Sequence, residues 1–157
     1  MAAPKTRVRR LDETPALAGL PAGVVNPIRP DWFARKTEAQ LGRAVGMSQF
    51  GVNHLILEPG AYSALRHWHE GEDEFVFVLS GQAILIDDNG EHVLAAGSYA
   101  GFPAGAANAH HLTNRSDAPA HLLMVGTRKV GVETLHYPDD FAEPRTVTRD
   151  ARGERIP

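Results

Sequence analysis

The chain has 157 residues, 43% hydrophobic and 22% charged, with eight histidines, no cysteine and a formal net charge of −3. That length suits one domain with its own core, and the lack of cysteine excludes disulfide scaffolds, thiolate zinc fingers, cysteine-ligated clusters and cysteine nucleophiles. Setting aside the +4 of residues 1–10 and the +2 of residues 145–157 leaves −9 on the body, which repels a phosphate backbone and argues against nucleic acid as a partner.

Met1–Arg10 carries Lys5, Arg7, Arg9 and Arg10 and lacks the apolar segment of a secretory leader. No run of about 18 apolar residues occurs, so a cytoplasmic protein without membrane association is expected. Residues 1–25 are rich in Pro, Ala and Gly and read as an irregular arm. Asp31 is a plausible N-cap ahead of Trp32 and Phe33, which predicts a short helix over Asp31–Gln40. Short apolar runs then follow at Gly51–Leu57, Phe75–Leu79, Gln82–Ile86, His92–Leu94, Ser98–Phe102, His110–Thr113 and Ala120–Thr127. Their recurrence about every 8–12 residues predicts an all-β sandwich or barrel. Asn89–Gly90 between two runs signals a hairpin, because both residues tolerate φ > 0. Tyr137–Pro157 holds three prolines and mixed charge and reads as a second arm. The expected organisation is an N-terminal arm with a short helix (1–45), a barrel (46–130) and a C-terminal arm (131–157). The arms wrap the barrel or pack on a second copy, which makes a homodimer the expected assembly.

His67–Trp68–His69 places two imidazoles on one face of an extended segment, since residues two apart point the same way. Glu74 opens the next run, and His110 shares its face with Leu112 and Asn114 while His111 points oppositely. Three imidazoles and a carboxylate suit a divalent transition metal such as Mn, Fe, Ni or Zn. Open positions on such a metal bind water or a substrate oxygen. Glu70, Glu72 and Asp73 read as a solvated loop, and His54, His92, His121 and His136 as structural or exposed.

These residues also carry a family resemblance. Gly60-x₆-His67-x-His69-x₄-Glu74-x₆-Gly81 resembles the first motif of the cupin superfamily, with one extra residue before the first histidine. Gly97-x₅-Pro103-x-Gly105-x₄-His110-x₃-Asn114 resembles the second, with two extra residues before its histidine. Strict spacing would put Asn108 at that position; spacing to Asn114 and ligand chemistry favour His110, with His111 and Asn108 as alternatives. The resemblance implies a double-stranded β-helix, a jelly-roll-like barrel, with His67, His69, Glu74 and His110 as metal ligands inside one end. By parity, Trp68 and Arg66 face away from the metal.

The function expected is a metal-dependent enzyme acting on a small polar molecule such as a sugar phosphate or organic acid, of isomerase, dioxygenase or lyase type. The alternative is a non-catalytic binding or sensing module. An enzyme's pocket should hold a titratable group besides the metal ligands.

Overall fold

Period-two alternation of apolar and polar residues sets the architecture between residues 50 and 127. The computed structural model describes residues 6–20 and 28–156. The parts of the expected N-terminal arm at 1–5 and 21–27 lie outside the described residues, as does Pro157. In chain order the strands are β1 (Ala16–Ala18), β2 (Lys36–Gln40), β3 (Phe50–Leu57), β4 (Trp68–His69), β5 (Glu74–Ser80), β6 (Gln82–Asp87) and β7 (Gly90–Ala95). They continue with β8 (Tyr99–Phe102), β9 (His111–Thr113), β10 (Ala120–Thr127), β11 (Gly131–His136), β12 (Arg145–Arg149) and β13 (Arg155–Ile156). A 3₁₀ turn at Leu11–Glu13 and one helical turn, α1 (Leu41–Ala44), are the helical elements among the described residues.

The strands form a six-stranded sheet in the order β1-β2-β3-β10-β5-β8, a three-stranded sheet β7-β6-β9 and a four-stranded sheet β13-β12-β11-β4. Inward positions of the large sheet are Leu55 and Leu57, Val76 and Val78, and Ala120 and Leu122. They meet Ala83, Leu85, Leu94 and Leu112 in one buried cluster. All seven apolar runs expected from the sequence lie on strands. Their pairing is antiparallel throughout, which makes the double-stranded β-helix.

The helix expected over Asp31–Gln40 does not form. Residues 31–35 make turns, and Lys36–Gln40 pairs residue for residue with Asn53–Leu57 of β3. The cap signal is weak, whereas β-branched Thr37 suits pairing on an existing strand, and the register sets Lys36 and Glu38 opposite Leu57 and Leu55. The β6–β7 hairpin forms where expected, with Asp87 paired to Gly90 and Asp88–Asn89 as its loop. Neither loop residue has positive φ; Gly90 alone takes it, at 122°, while the Asp87 carboxylate accepts the Asn89 N–H at 2.8 Å. Gly81 is required by space: a Cβ there would lie 2.4 Å from the Pro119 carbonyl oxygen. Residues 131–156, expected as an extended arm, wrap the barrel as β11–β13, anchored on β4 through Leu135 and His69.

Candidate functional site

Toward one end of the barrel the inward positions change from aliphatic to polar. Along β5 the series runs Val78, Val76, Glu74; along β10 it runs Leu122, Met124, Gly126; along β3 it runs Leu57, Leu55, Asn53, Gly51. Glu74 sits where the carbon-lined core gives way. His67 and His110 face each other across an isolated antiparallel bridge, with His67 N–H donating to the His110 carbonyl at 3.2 Å and the reverse bond at 2.9 Å. His69 is fixed by β4, which pairs with β11. Four chain segments thus deliver four side chains to one point.

The ligand atoms of His67, His69 and Glu74 lie within 4.8 Å of one another. His110 Nε2 is 2.9 Å from Glu74 Oε2, His67 Nε2 is 3.9 Å from the same oxygen, and His69 Nε2 is 3.6 Å from Glu74 Oε1. The outer nitrogens explain why the inner ones face the carboxylate. His67 Nδ1 lies 2.7 Å from the Leu65 carbonyl and His110 Nδ1 lies 3.1 Å from the Asn108 carbonyl. A carbonyl only accepts, so each Nδ1 carries the proton and a neutral ring presents an Nε2 lone pair to Glu74. An imidazole lone pair 2.9 Å from a carboxylate is favourable only with a positive charge between them, either a further proton or a metal ion. His69 repeats the pattern with carboxylates. Its buried Nδ1 lies 3.4 Å from Glu133 Oε1 and 3.7 Å from Glu72 Oε2 and makes no hydrogen bond. A metal-bound histidine typically has its other ring nitrogen against a carbonyl or carboxylate, so the donor set fits a divalent ion.

Burial lowers the His67 pKa to about 4, with Glu74 and the Leu65 carbonyl opposing that fall. Burial would raise the Glu74 carboxyl, but the His110 hydrogen bond and the three imidazoles outweigh it and hold the group at about 2. These shifts leave His67 neutral and Glu74 ionised at neutral pH, the forms that ligate a metal.

The alternatives to His110 are engaged elsewhere. His111 is buried against the Trp32 and Tyr62 rings with Nδ1 3.1 Å from the Ala64 carbonyl. The Asn108 amide donates to Asp87 Oδ2 at 3.1 Å, and its oxygen accepts the Asp88 N–H at 2.9 Å. Asn114, which closes the second motif, is fully buried and donates to the Leu57 and Ala118 carbonyls at 2.7 Å each, a structural role. Arg66 points away into ion pairs with Asp88 and Asp139, and Trp68 stacks on His136 at 4.0 Å. His54 pairs with His121 on the outer face of the sheet, and His92 faces Asp87.

One expectation is overturned in the loop. Glu72 is not solvated: it is 4% exposed, accepts the Lys129 N–H at 2.8 Å and pairs with Arg149 at 2.9 Å. The β11–β12 hairpin covers it, and that contact is invisible in local sequence. Asp73 remains exposed, and Glu70 pairs with His136. No motif marks Glu133, which is fully buried; the available signal is a carboxylate sharing the inward parity of Leu135 on β11. Phe102, stacked on His110 at 3.5 Å, and Tyr137, 5.4 Å from the His67 ring, complete the surroundings.

The cluster adjoins a cavity of about 600 Å³ that Glu72 and Glu74 line on one side. Glu38, Asn53, Arg43, Arg128, Arg149 and Arg155 line it as well, with Arg149 paired to Glu72.

Comparisons with known proteins agree with this architecture. A family model for the cupin domain matches residues 53–126. A sugar phosphate isomerase of the cupin superfamily from Silicibacter pomeroyi is 43% identical, over 94% of this chain and 88% of that one, with a TM-score of 0.79. A candidate sugar phosphate isomerase from Acidithiobacillus ferrooxidans is 30% identical, over 71% of this chain and 75% of that one, with a TM-score of 0.64. A candidate oxalate decarboxylase from Thermotoga maritima shares the fold at 22% identity and a TM-score of 0.61, over 77% of this chain and 98% of that one. No curated protein matches.

Proposed function

The chain belongs to the cupin family, and we propose that within it this protein is a metal-dependent isomerase of a phosphorylated sugar or related polyol. The observation that carries the reading is the convergence of three imidazoles on Glu74, with His110 Nε2 2.9 Å from its carboxylate, at the edge of a polar cavity of about 600 Å³. Ligand pockets run to about 300–1,000 Å³, so a five- or six-carbon substrate is accommodated. The likeness to the Silicibacter protein supports the choice of substrate class.

His67, His69, Glu74 and His110 would hold the ion, which when bound polarises a carbonyl or hydroxyl oxygen. The remaining work falls to this chain's own groups. Glu72 and Glu133 orient His69 through its Nδ1 side. Asn53 donates to Glu38 at 2.8 Å and so holds that carboxylate at the cavity surface. Glu38 is a titratable group of the cavity apart from the cluster, which favours catalysis over binding alone. Phe102 and Tyr137 cover the imidazoles and keep bulk water from them.

Isomerisation removes a proton from the carbon beside a carbonyl and returns one to the former carbonyl carbon. Protein purified without chelator and incubated with aldose phosphates in D₂O should therefore incorporate deuterium at that carbon, read by NMR. The expected outcome is exchange with holoprotein and none with the E74Q variant. Stoichiometric metal with no exchange or interconversion across aldose and ketose phosphates would leave a binding module instead.

A further inference from the structure

The cavity beside the cluster is charged in an uneven way. Four glutamates line it, and each has a partner among the described residues. Glu38 takes the Asn53 amide, Glu72 takes Arg149, Glu74 takes His110 and Glu154 takes Arg43. Four arginines line it as well, but Arg128 and Arg155 have no side-chain hydrogen bond or ion pair among the described residues. Their guanidinium donors are therefore left open toward the cavity, with Glu72 acting on Arg128 only through space.

Arg128 is also held in place. It follows β10 directly, its backbone N–H donates to the Gln49 carbonyl at 3.0 Å, and its side chain runs between two glycines. A Cβ at Gly153 would lie 2.9 Å from Arg128 Cδ, and one at Gly51 would lie 3.4 Å from Nε and Nη2. Any side chain at Gly153 would close that slot. Burial, then the nearby charges of Arg149 and Arg43, lowers the Arg128 pKa against the opposing pull of Glu72, so three guanidiniums stand close together although Arg149 and Arg43 have carboxylate partners. An anion relieves the repulsion among them, and a guanidinium fork matches phosphoryl oxygens bidentately.

We propose that Arg128 and Arg155, backed by Arg43, form a phosphate subsite that takes the phosphoryl end of the substrate while its other end reaches the imidazole–carboxylate cluster. Two guanidiniums whose donors no side chain occupies suit the oxygens of a phosphate monoester. The subsite rests on the isomerase reading for its substrate, but its ligand chemistry is testable without turnover.

Calorimetric titration of the holoprotein with inorganic phosphate and with ribose 5-phosphate, set against ribose, tests the assignment. The wild type should bind both phosphates. R128Q should bind each about 10- to 150-fold more weakly, the loss of one charged hydrogen-bonding group, while keeping its metal content. R128K should recover part of the loss, because it restores charge without the fork. R155Q, at an exposed position, gives the same direction of change should R128Q fail to fold. R115Q, which breaks an exposed pair with Glu91 away from the cavity, should leave binding unchanged. Phosphate affinity equal in wild type, R128Q and R155Q overturns the subsite, as does equal binding of succinate and phosphate. Phosphate bound through Arg128 with no isomerisation leaves the subsite standing and removes the isomerase reading; the reverse result removes only the subsite.

Discussion

Two charged walls meet at Glu72 and Glu74, the imidazole cluster beside the cavity and the guanidiniums that line it, and they are built on different plans. The imidazole wall comes from two compact stretches, residues 67–74 and 110, whose side chains are locked by carbonyls and buried carboxylates. The guanidinium wall gathers Arg43 from α1, Arg128 from beyond β10, Arg149 from β12 and Arg155 from β13. The first is rigid because each ring nitrogen has an assigned neighbour. The second is held by ion pairs and by a slot between glycines, and two of its guanidiniums keep open donors. Metal chemistry needs donors fixed within a few tenths of an ångström, whereas an anion is attracted over a longer range and tolerates a looser wall.

Breaking the imidazole wall should have the largest effect. E74Q removes the one carboxylate that all three histidines face, so elemental analysis should find no stoichiometric metal, with phosphate still drawn to the arginines. Metal retained by E74Q would erase the distinction between the walls. Next in size, L122A cuts into the aliphatic floor beneath both walls and should lower unfolding free energy by about 2–5 kcal/mol in denaturant titration, with metal stoichiometry kept. A smaller change sharpens the account of how the first wall is held. E133Q keeps the shape beside His69 but removes the charge, and metal affinity in chelator competition should drop about 10- to 100-fold.

Acid separates the walls further, because guanidinium does not titrate and the cluster does. His67 has a folded value of about 4 against an ordinary 6.5, so the unfolded chain takes up the proton first. Stability that it supports at pH 7 is lost as pH falls from 6.5 toward 4. Glu74, lowered from 4.5 to about 2, supports stability above 4.5 that is lost as pH falls toward 2. Thermal melts of chelator-stripped protein should show both declines. H67Q should flatten the upper window, and R128Q should leave both slopes as they are.

The same contrast explains what could be read from the sequence. The cluster was legible because strand geometry places residues two apart on one face, so His67 and His69 imply a common target and Glu74 and His110 follow from motif spacing. The seven core strands were legible from alternation. Glu133, Arg149 and Arg155 were not, since nothing in a linear pattern says that residues 131–156 fold back over β4 and the barrel mouth. Glu72 was misread for the same reason: a carboxylate in an acidic loop looks solvated until Arg149, 77 positions away, is laid against it. Strand β2 was missed because its partner, not its own composition, makes it a strand.

The path of residues 131–156 also sets an order of events on the ribosome. The chain emerges from its N-terminal side, so His67, His69, Glu74 and His110, together with β3, β5 and β10, are available before Glu133, Arg149, Gly153 and Arg155 exist. His69, however, lies on β4, whose strand partner is β11, so the cluster is completed only once residues 131–136 have been made and paired.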